Sequence, residues 1–402
     1  MAGLATVQSI TNPSEMFDKA GVANISARAT AIDAVSKIVR LSDGRSLRYD
    51  KMILSTGARP FVPPIEGTDV RGVFFLRTAN DAMKIREHLE TERPRNLVGI
   101  GAGFINLETF SLLVESKPEA YKIGIVEVLD HPLPLMLDAE MAAGVTQRLS
   151  EKGFALRMGR RVSRILGRNG SVCGVELDDG SRMEADLVLI SAGAKPDLEL
   201  AVQAGLKLGR FGVQVNEFLE SSNPDILAAG DCAEKVHYLT RRPVPSQLRG
   251  PAVIQGRLAA KRLAGYAIPF PGVLNNCAVR LFDLYVAATG LTEKCARAEG
   301  FDAFSVRTVS RTKHGMIAGA KPWTLQLVFD RRSQRLIGGQ IVSEGETAVK
   351  EIDAINALIL GNKTIGDLTT LISAGHPDCS SEPSLEPIAI AAENALQRLR
   401  GS

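Results

Sequence analysis

The stretch Asn96-Leu97-Val98-Gly99-Ile100-Gly101-Ala102-Gly103-Phe104-Ile105-Asn106-Leu107-Glu108 leaves the chain few choices of fold. It reads as a short apolar strand, a tight glycine turn and the start of a helix. Side chains at Gly101 and Gly103 would keep a pyrophosphate away from the first helical amides, where free N–H groups and the helix dipole favour an anion. The third position of a G-x-G-x-x-G fingerprint is Asn106 instead of glycine. Residues 122–126 form a second apolar run that ends in Glu127, 26 residues past Gly101. An acidic residue at that distance binds the ribose hydroxyls of NAD. Val128 follows, where an arginine would suit a 2′-phosphate. The pattern points to a dinucleotide site with NAD preferred over NADP.

A second pattern is a repeat. Two strand-like runs flank Ser42-Asp43-Gly44, and an apolar run at 51–55 leads into Thr56-Gly57-Ala58-Arg59-Pro60. Similar runs flank Asp178-Asp179-Gly180, and the run at 186–190 leads into Ala192-Gly193-Ala194-Lys195-Pro196. Gly44 and Gly180 are 136 residues apart, as are Gly57 and Gly193. One offset at two glycines, with matching strands around them, implies two copies of a nucleotide-binding half. In the second copy Gly101 precedes Gly193 by 92 residues, so its counterpart would fall at position −35. The expectation is therefore a first copy with its meander and closing strand but without its opening strand, glycine turn and helix.

At 402 residues there is enough chain for two or three domains. A net charge of +3 without a long basic run argues against a nucleic-acid surface. No apolar run reaches the roughly 20 residues that a membrane helix needs. Five widely spaced cysteines without a C-x-x-C suggest a reducing compartment, the cytoplasm, and no metal site. The order of runs predicts helices at 79–89, 104–115, 139–152 and 251–264. After Pro269-Phe270-Pro271-Gly272 the texture changes to strands at 278–282, 304–308, 324–329 and 336–342, then helices at 347–360, 365–372 and 386–398. Cys277 and Cys295 are expected to flank a strand there, and Cys173, Cys232, Cys277 and Cys295 are expected to be buried and inert.

Residues 9–397 resemble the pyridine nucleotide-disulfide oxidoreductases, in particular the NADH oxidase and coenzyme A-disulfide or persulfide reductase branch. The resemblance is carried by residues 55–60, by the Gly101 turn with Glu108 and Glu127, by Ile226-Leu227-Ala228-Ala229-Gly230-Asp231, and by Gln255-Gly256-Arg257. Ala318-Gly319-Ala320-Lys321-Pro322 looks like part of that branch's dimerisation domain. The implied fold is α/β: two interleaved Rossmann-like domains, the first truncated, plus a C-terminal α+β dimerisation domain. The implied boundaries are 1–78 with 195–268 for the FAD-type domain, 79–194 for the NAD-binding domain and 272–402 for dimerisation.

The resemblance implies an FAD-dependent enzyme that passes hydride from NADH to flavin and on to a disulfide, persulfide, oxygen or another small acceptor. Gly101, Gly103, Phe104, Ile105, Glu127 and Gly193 would hold NADH, with Phe104 gating the nicotinamide. Thr56, Gly57, Gly230, Asp231 and Leu248 would lie on FAD. A loop of a homodimer partner reaches the flavin in this family, which implies His376 as proton donor and Cys379 as a displaced thiol. Two other readings stay open here: a flavin-poor NAD-binding or interaction protein without turnover, and a reductase of a small iron electron carrier.

Overall fold

Alternating apolar strands and amphipathic helices between residues 73 and 190 can bury both sheet faces only if the strands run parallel. They do so in a five-stranded sheet ordered Val73–Phe75, Leu187–Ile190, Asn96–Ile100, Lys122–Glu127 and Ala155–Met158 in the computed structural model, which describes residues 5–401. Leu187–Ile190 is buried at every position, as a central parallel strand requires. The helices Ala79–Thr91, Phe104–Ser116 and Ala139–Glu151 connect the strands. Thr78 caps the first helix through the Asp81 amide, and Asp81 returns a bond to Thr78, a capping box that the Thr-x-x-Asp spacing encodes.

Between strands Ala155–Met158 and Leu187–Ile190 lies a three-stranded antiparallel meander, Val162–Arg168, Ser171–Leu177 and Arg182–Glu184. Its counterpart in the other copy is Ala29–Asp33, Ile38–Leu41 and Ser46–Arg48. The repeat is therefore visible as two meanders of the same topology.

The chain divides into two compact units, one of residues 62–192 and 274–401, the other of residues 5–61 and 193–273. The first unit also holds a five-stranded antiparallel sheet ordered Cys277–Leu281, Leu284–Gly290, Leu336–Ser343, Pro322–Asp330 and Ala303–Arg311. Helices Glu351–Leu360, Ile365–Thr369 and Pro387–Arg400 accompany it. Leu97, Leu107, Phe110, Val145 and Leu149 share one core with Leu281, Phe282 and Val286. In the second unit, Met52–Leu54 pairs in parallel with Ile226–Ala228, and the helix Arg249–Leu263 follows.

Some elements differ from the sequence expectation. Leu284–Gly290 is a strand between Cys277–Leu281 and Leu336–Ser343, and it was not expected. It was hidden by its turn: Leu281 pairs with Leu284, leaving Phe282-Asp283 as a two-residue hairpin loop, with Phe282 at φ 59°. Such loops ordinarily announce themselves by Asn-Gly or Asp-Gly, and Phe-Asp does not. Cys277 consequently begins a strand instead of flanking one, and Cys295 lies in the short helix Glu293–Ala298.

Ala58–Pro60 and Ala194–Pro196 form an antiparallel ribbon, pairing Ala58 with Pro196, Arg59 with Lys195 and Pro60 with Ala194. The Asp197 amide donates to the Gly57 carbonyl at 2.9 Å, and the Phe61 amide to the Gly193 carbonyl at 2.9 Å. Each partner is the other's equivalent under the 136-residue offset, so the ribbon has an approximate two-fold axis through Arg59 and Lys195.

Candidate nucleotide and flavin sites

The glycine turn begins where the sheet ends. Gly101 sits at φ +99°, and a Cβ there would lie 2.5 Å from the Ser191 carbonyl oxygen, so no other residue fits. Gly103 is the N-cap of the thirteen-residue helix Phe104–Ser116, which no described side chain caps. A Cβ on Gly103 would meet nothing within 4 Å, so the space before the first helical turn is open. This is an anion cradle by construction.

Asn106 explains the departure from the fingerprint. Its side chain is fully buried, and Nδ2 donates to the carbonyls of Gly101 (2.8 Å), Ile100 (3.0 Å) and Leu189 (3.3 Å). The third glycine ordinarily allows close packing of helix on strand. Here Gly99 supplies the room: a Cβ on it would stand 3.1 Å from Asn106 Nδ2 and 2.8 Å from Phe110. The asparagine adds its donors to these strand carbonyls, of which that of Ile100 also accepts the Ser191 amide at 2.9 Å.

Glu127 is 8% exposed at the end of its strand. Its Oε2 accepts the Ala102 amide at 2.7 Å, inside the glycine turn, and its Oε1 accepts the Leu129 amide at 3.0 Å. The carboxylate is thus locked against the turn, with lone pairs left for hydroxyl donors. A second negative group beside it would be repelled. Phe104 and Ile105 are each 36% exposed on the first helical turn, apolar surface beside the cradle. Partial desolvation raises the pKa of Glu108, one turn further on, although its side chain still reaches water. The turn thus brings Gly101, Gly103, Phe104, Ile105 and Glu127 together. Gly193 belongs to the other unit, in the ribbon.

In that second unit, Gly230 opens a 3₁₀ turn, Gly230–Cys232, at φ +78°. Its N–H donates to Gln255 Oε1 at 2.9 Å, and its carbonyl accepts Lys235 Nζ at 2.6 Å. Asp231 is half-buried. Leu248 is the N-cap of Arg249–Leu263, the helix that carries Gln255. Thr56 Oγ1 donates to the Asp197 carbonyl at 2.6 Å, so its hydroxyl braces the ribbon. Gln255 Nε2 and Ser246 Oγ are buried without a hydrogen-bond partner among the described residues, polar atoms that a ligand can satisfy. These features fit the polar part of a flavin cofactor, as the open, uncapped turn at Gly103 fits a dinucleotide pyrophosphate.

His376 and Cys379 lie on an exposed loop. The Cys379 amide donates to the His376 carbonyl at 3.0 Å, and His376 Nδ1 accepts the Asp378 amide at 3.3 Å. The loop is tied to residues 311–314: the His314 amide donates to the Pro377 carbonyl at 3.0 Å, and Ser381 Oγ to the Arg311 carbonyl at 2.6 Å. Glu382 is bonded to Ser384. Among the other thiols, burial pushes Cys277 up to about 12, which makes it unreactive, and Cys232 is buried. Cys295 is exposed on its short helix, contrary to the expectation that it would be buried. Sequence reading missed Lys235. A lysine between Glu234 and Val236 carries no signal of burial.

No helix among the described residues is long and apolar enough to cross a membrane, and no group of three or more potential ligands for a metal occurs among them. The family described as "Pyridine nucleotide-disulphide oxidoreductase" matches residues 5–252, and its dimerisation domain matches residues 277–386. The chain is 32% identical over 382 residues to an NADH oxidase of Methanocaldococcus jannaschii, covering 94% of this chain and 83% of that protein. It is 33% identical to a CoA-dependent NAD(P)H sulfur oxidoreductase of Pyrococcus abyssi, covering 94% of this chain and 82% of the relative. The solved structure of an NAD-dependent persulfide reductase from A. fulgidus superposes with a TM-score of 0.93 at 32% identity. That match covers 100% of this chain and 75% of the reductase.

Proposed function

The chain belongs to the pyridine nucleotide-disulphide oxidoreductase family, and from that premise we propose which of its residues serve an NADH-dependent flavoprotein oxidoreductase, and for which acceptor. Its cofactors are FAD and NADH. When bound, FAD takes hydride from NADH and hands the electron pair to the acceptor.

The single observation that carries the reading is the locked glycine turn, with Glu127 closing on the Ala102 amide. The amides at Gly103 and Phe104 hold the pyrophosphate, and Glu127 takes the ribose hydroxyls and disfavours a 2′-phosphate. Phe104 and Ile105 cover the nicotinamide, and Gly193 is a further residue for NADH. Thr56, Gly57, Gly230, Asp231 and Leu248 form the flavin side. His376 is the proton donor to a leaving thiolate and Cys379 a thiol on the same loop, acting across a homodimer formed through residues 272–402. The acceptor is a persulfide or disulfide of a small thiol, with oxygen as the alternative. The match of residues 277–386 to a dimerisation domain supports the homodimer. Unpaired thiols support a cytoplasmic setting.

The test is anaerobic NADH consumption by the purified chain with FAD supplied, with a coenzyme A persulfide or a polysulfide as acceptor, repeated with oxygen alone. We expect sulfide release coupled to NADH loss, and at least tenfold slower turnover with NADPH. Failure to consume NADH with every acceptor would refute the proposal.

A further inference from the structure

The Gly230 turn is held from both sides by buried polar groups. Gln255 is fully buried and fixes the peptide before Gly230 by accepting its N–H. Lys235, 2% exposed, fixes the peptide after Gly230 by donating to its carbonyl at 2.6 Å, and donates again to the Ala233 carbonyl at 3.0 Å. Both peptide planes flanking Gly230 are therefore pinned, and the second of them carries the amide of Asp231. Ser55 closes the remaining direction: its Oγ would stand 3.2 Å from a Cβ on Gly230, and it donates to the Ala229 carbonyl at 3.1 Å.

Burying an ammonium is expensive, and here burial holds the Lys235 pKa below the ordinary lysine value, while the nearby Asp231 charge pulls it back. Lys235 begins a two-residue strand whose inward position an apolar side chain would fill at lower cost. A lysine is useful there if its cation must reach the turn. Its two carbonyl acceptors close the Gly230–Ala233 segment into one shape.

We infer that Lys235 is a positioning residue that, opposite Gln255, fixes the direction of the Asp231 carboxylate toward the sugar-alcohol chain of a flavin nucleotide. The inference rests on the reading that Gly230 and Asp231 lie on FAD. It adds a residue that touches no ligand itself and acts through another side chain.

The experiment is a titration of the full chain with FAD, read by quenching of flavin fluorescence, for wild type, Asp231→Asn, Lys235→Met and the double variant. Lys235→Gln, which keeps a shorter neutral donor, replaces Lys235→Met if circular dichroism shows the latter unfolded. We expect each single variant to weaken FAD binding about tenfold or more. In the double variant, loss of Lys235 should add little to loss of Asp231, because the lysine acts through the carboxylate. NAD binding at the Gly101 turn, read by calorimetry, should be unchanged; general destabilisation would lower it as well. Unchanged FAD affinity in the Lys235 variants, or fully additive losses, overturns the role of Lys235 while leaving the flavin site standing. If Asp231→Asn binds FAD like wild type, or wild type binds none, the site reading itself falls and Lys235 falls with it.

Discussion

Asn106 shows how one residue can break a motif and still serve its fold. A glycine there would restore the consensus spacing, yet the structure gives the asparagine three carbonyl acceptors at the point where strand, turn and helix meet. Asn106→Gly removes those bonds and places glycine within a helix. Its expected cost is about 2–4 kcal/mol, the sum of lost buried hydrogen bonds and helix propensity. Denaturant unfolding measures it: the midpoint should fall while NAD affinity in the folded protein stays within a few-fold. A variant as stable as wild type would show that the three bonds contribute nothing net. The place of Glu127 at a strand end could be read from the apolar run that precedes it. The bond that Asn106 makes to Leu189, 83 residues away, could not be.

The elements around Asp138 repeat the lesson one level up. Asp138 is the N-cap of Ala139–Glu151, and its carboxylate accepts the amides of Glu293 (2.9 Å) and Lys294 (3.2 Å), the first turn of another helix. Oδ2 also accepts Gln326 Nε2 (2.9 Å) and Gln340 Nε2 (2.7 Å), from two adjacent strands of the antiparallel sheet. Gln340 Oε1 in turn accepts the Asp138 amide at 2.8 Å. One buried carboxylate at the head of one helix thus ties the start of a second helix to two strands, and favourable helix dipoles add to the bonds. Asp138→Ala orphans four donors, and its expected cost is about 3 kcal/mol or more. Chemical denaturation should show it, with Asp138→Asn less affected because one acceptor oxygen remains. The element boundaries themselves were mostly legible, since hydrophobic period and glycine turns mark them locally. Leu284–Gly290 escaped because its hairpin uses Phe-Asp, and no local rule names Gln326 and Gln340 as partners of Asp138.

At the scale of the molecule, the repeat offset and the order of motifs were enough to anticipate two meanders of one topology and a C-terminal antiparallel sheet. Neither propensity nor spacing showed that this last sheet shares a core with the fingerprint helix, because that depends on contacts between residues nearly two hundred positions apart. If the assembly is a homodimer through residues 272–402, light scattering should give twice the chain mass of 43.1 kDa. A monomer at working concentration would remove the basis for His376 acting across subunits, while leaving the Gly101 and Gly230 sites untouched.

The ribbon of Ala58–Pro60 and Ala194–Pro196 has a consequence for assembly. Its two strands are copies of one segment, so they bond as two separate molecules of a half-length protein would across an isologous contact. Its two flanking backbone bonds, Asp197 to Gly57 and Phe61 to Gly193, are equivalents of each other, whereas the Thr56 hydroxyl and the Arg59–Asp197 pair hold one copy to the other asymmetrically. Exchange of like strands between chains would keep the backbone bonds but lose the Arg59–Asp197 pair, and the covalent linkage between the copies, through the local concentration it enforces, adds to that preference for a ribbon within one molecule.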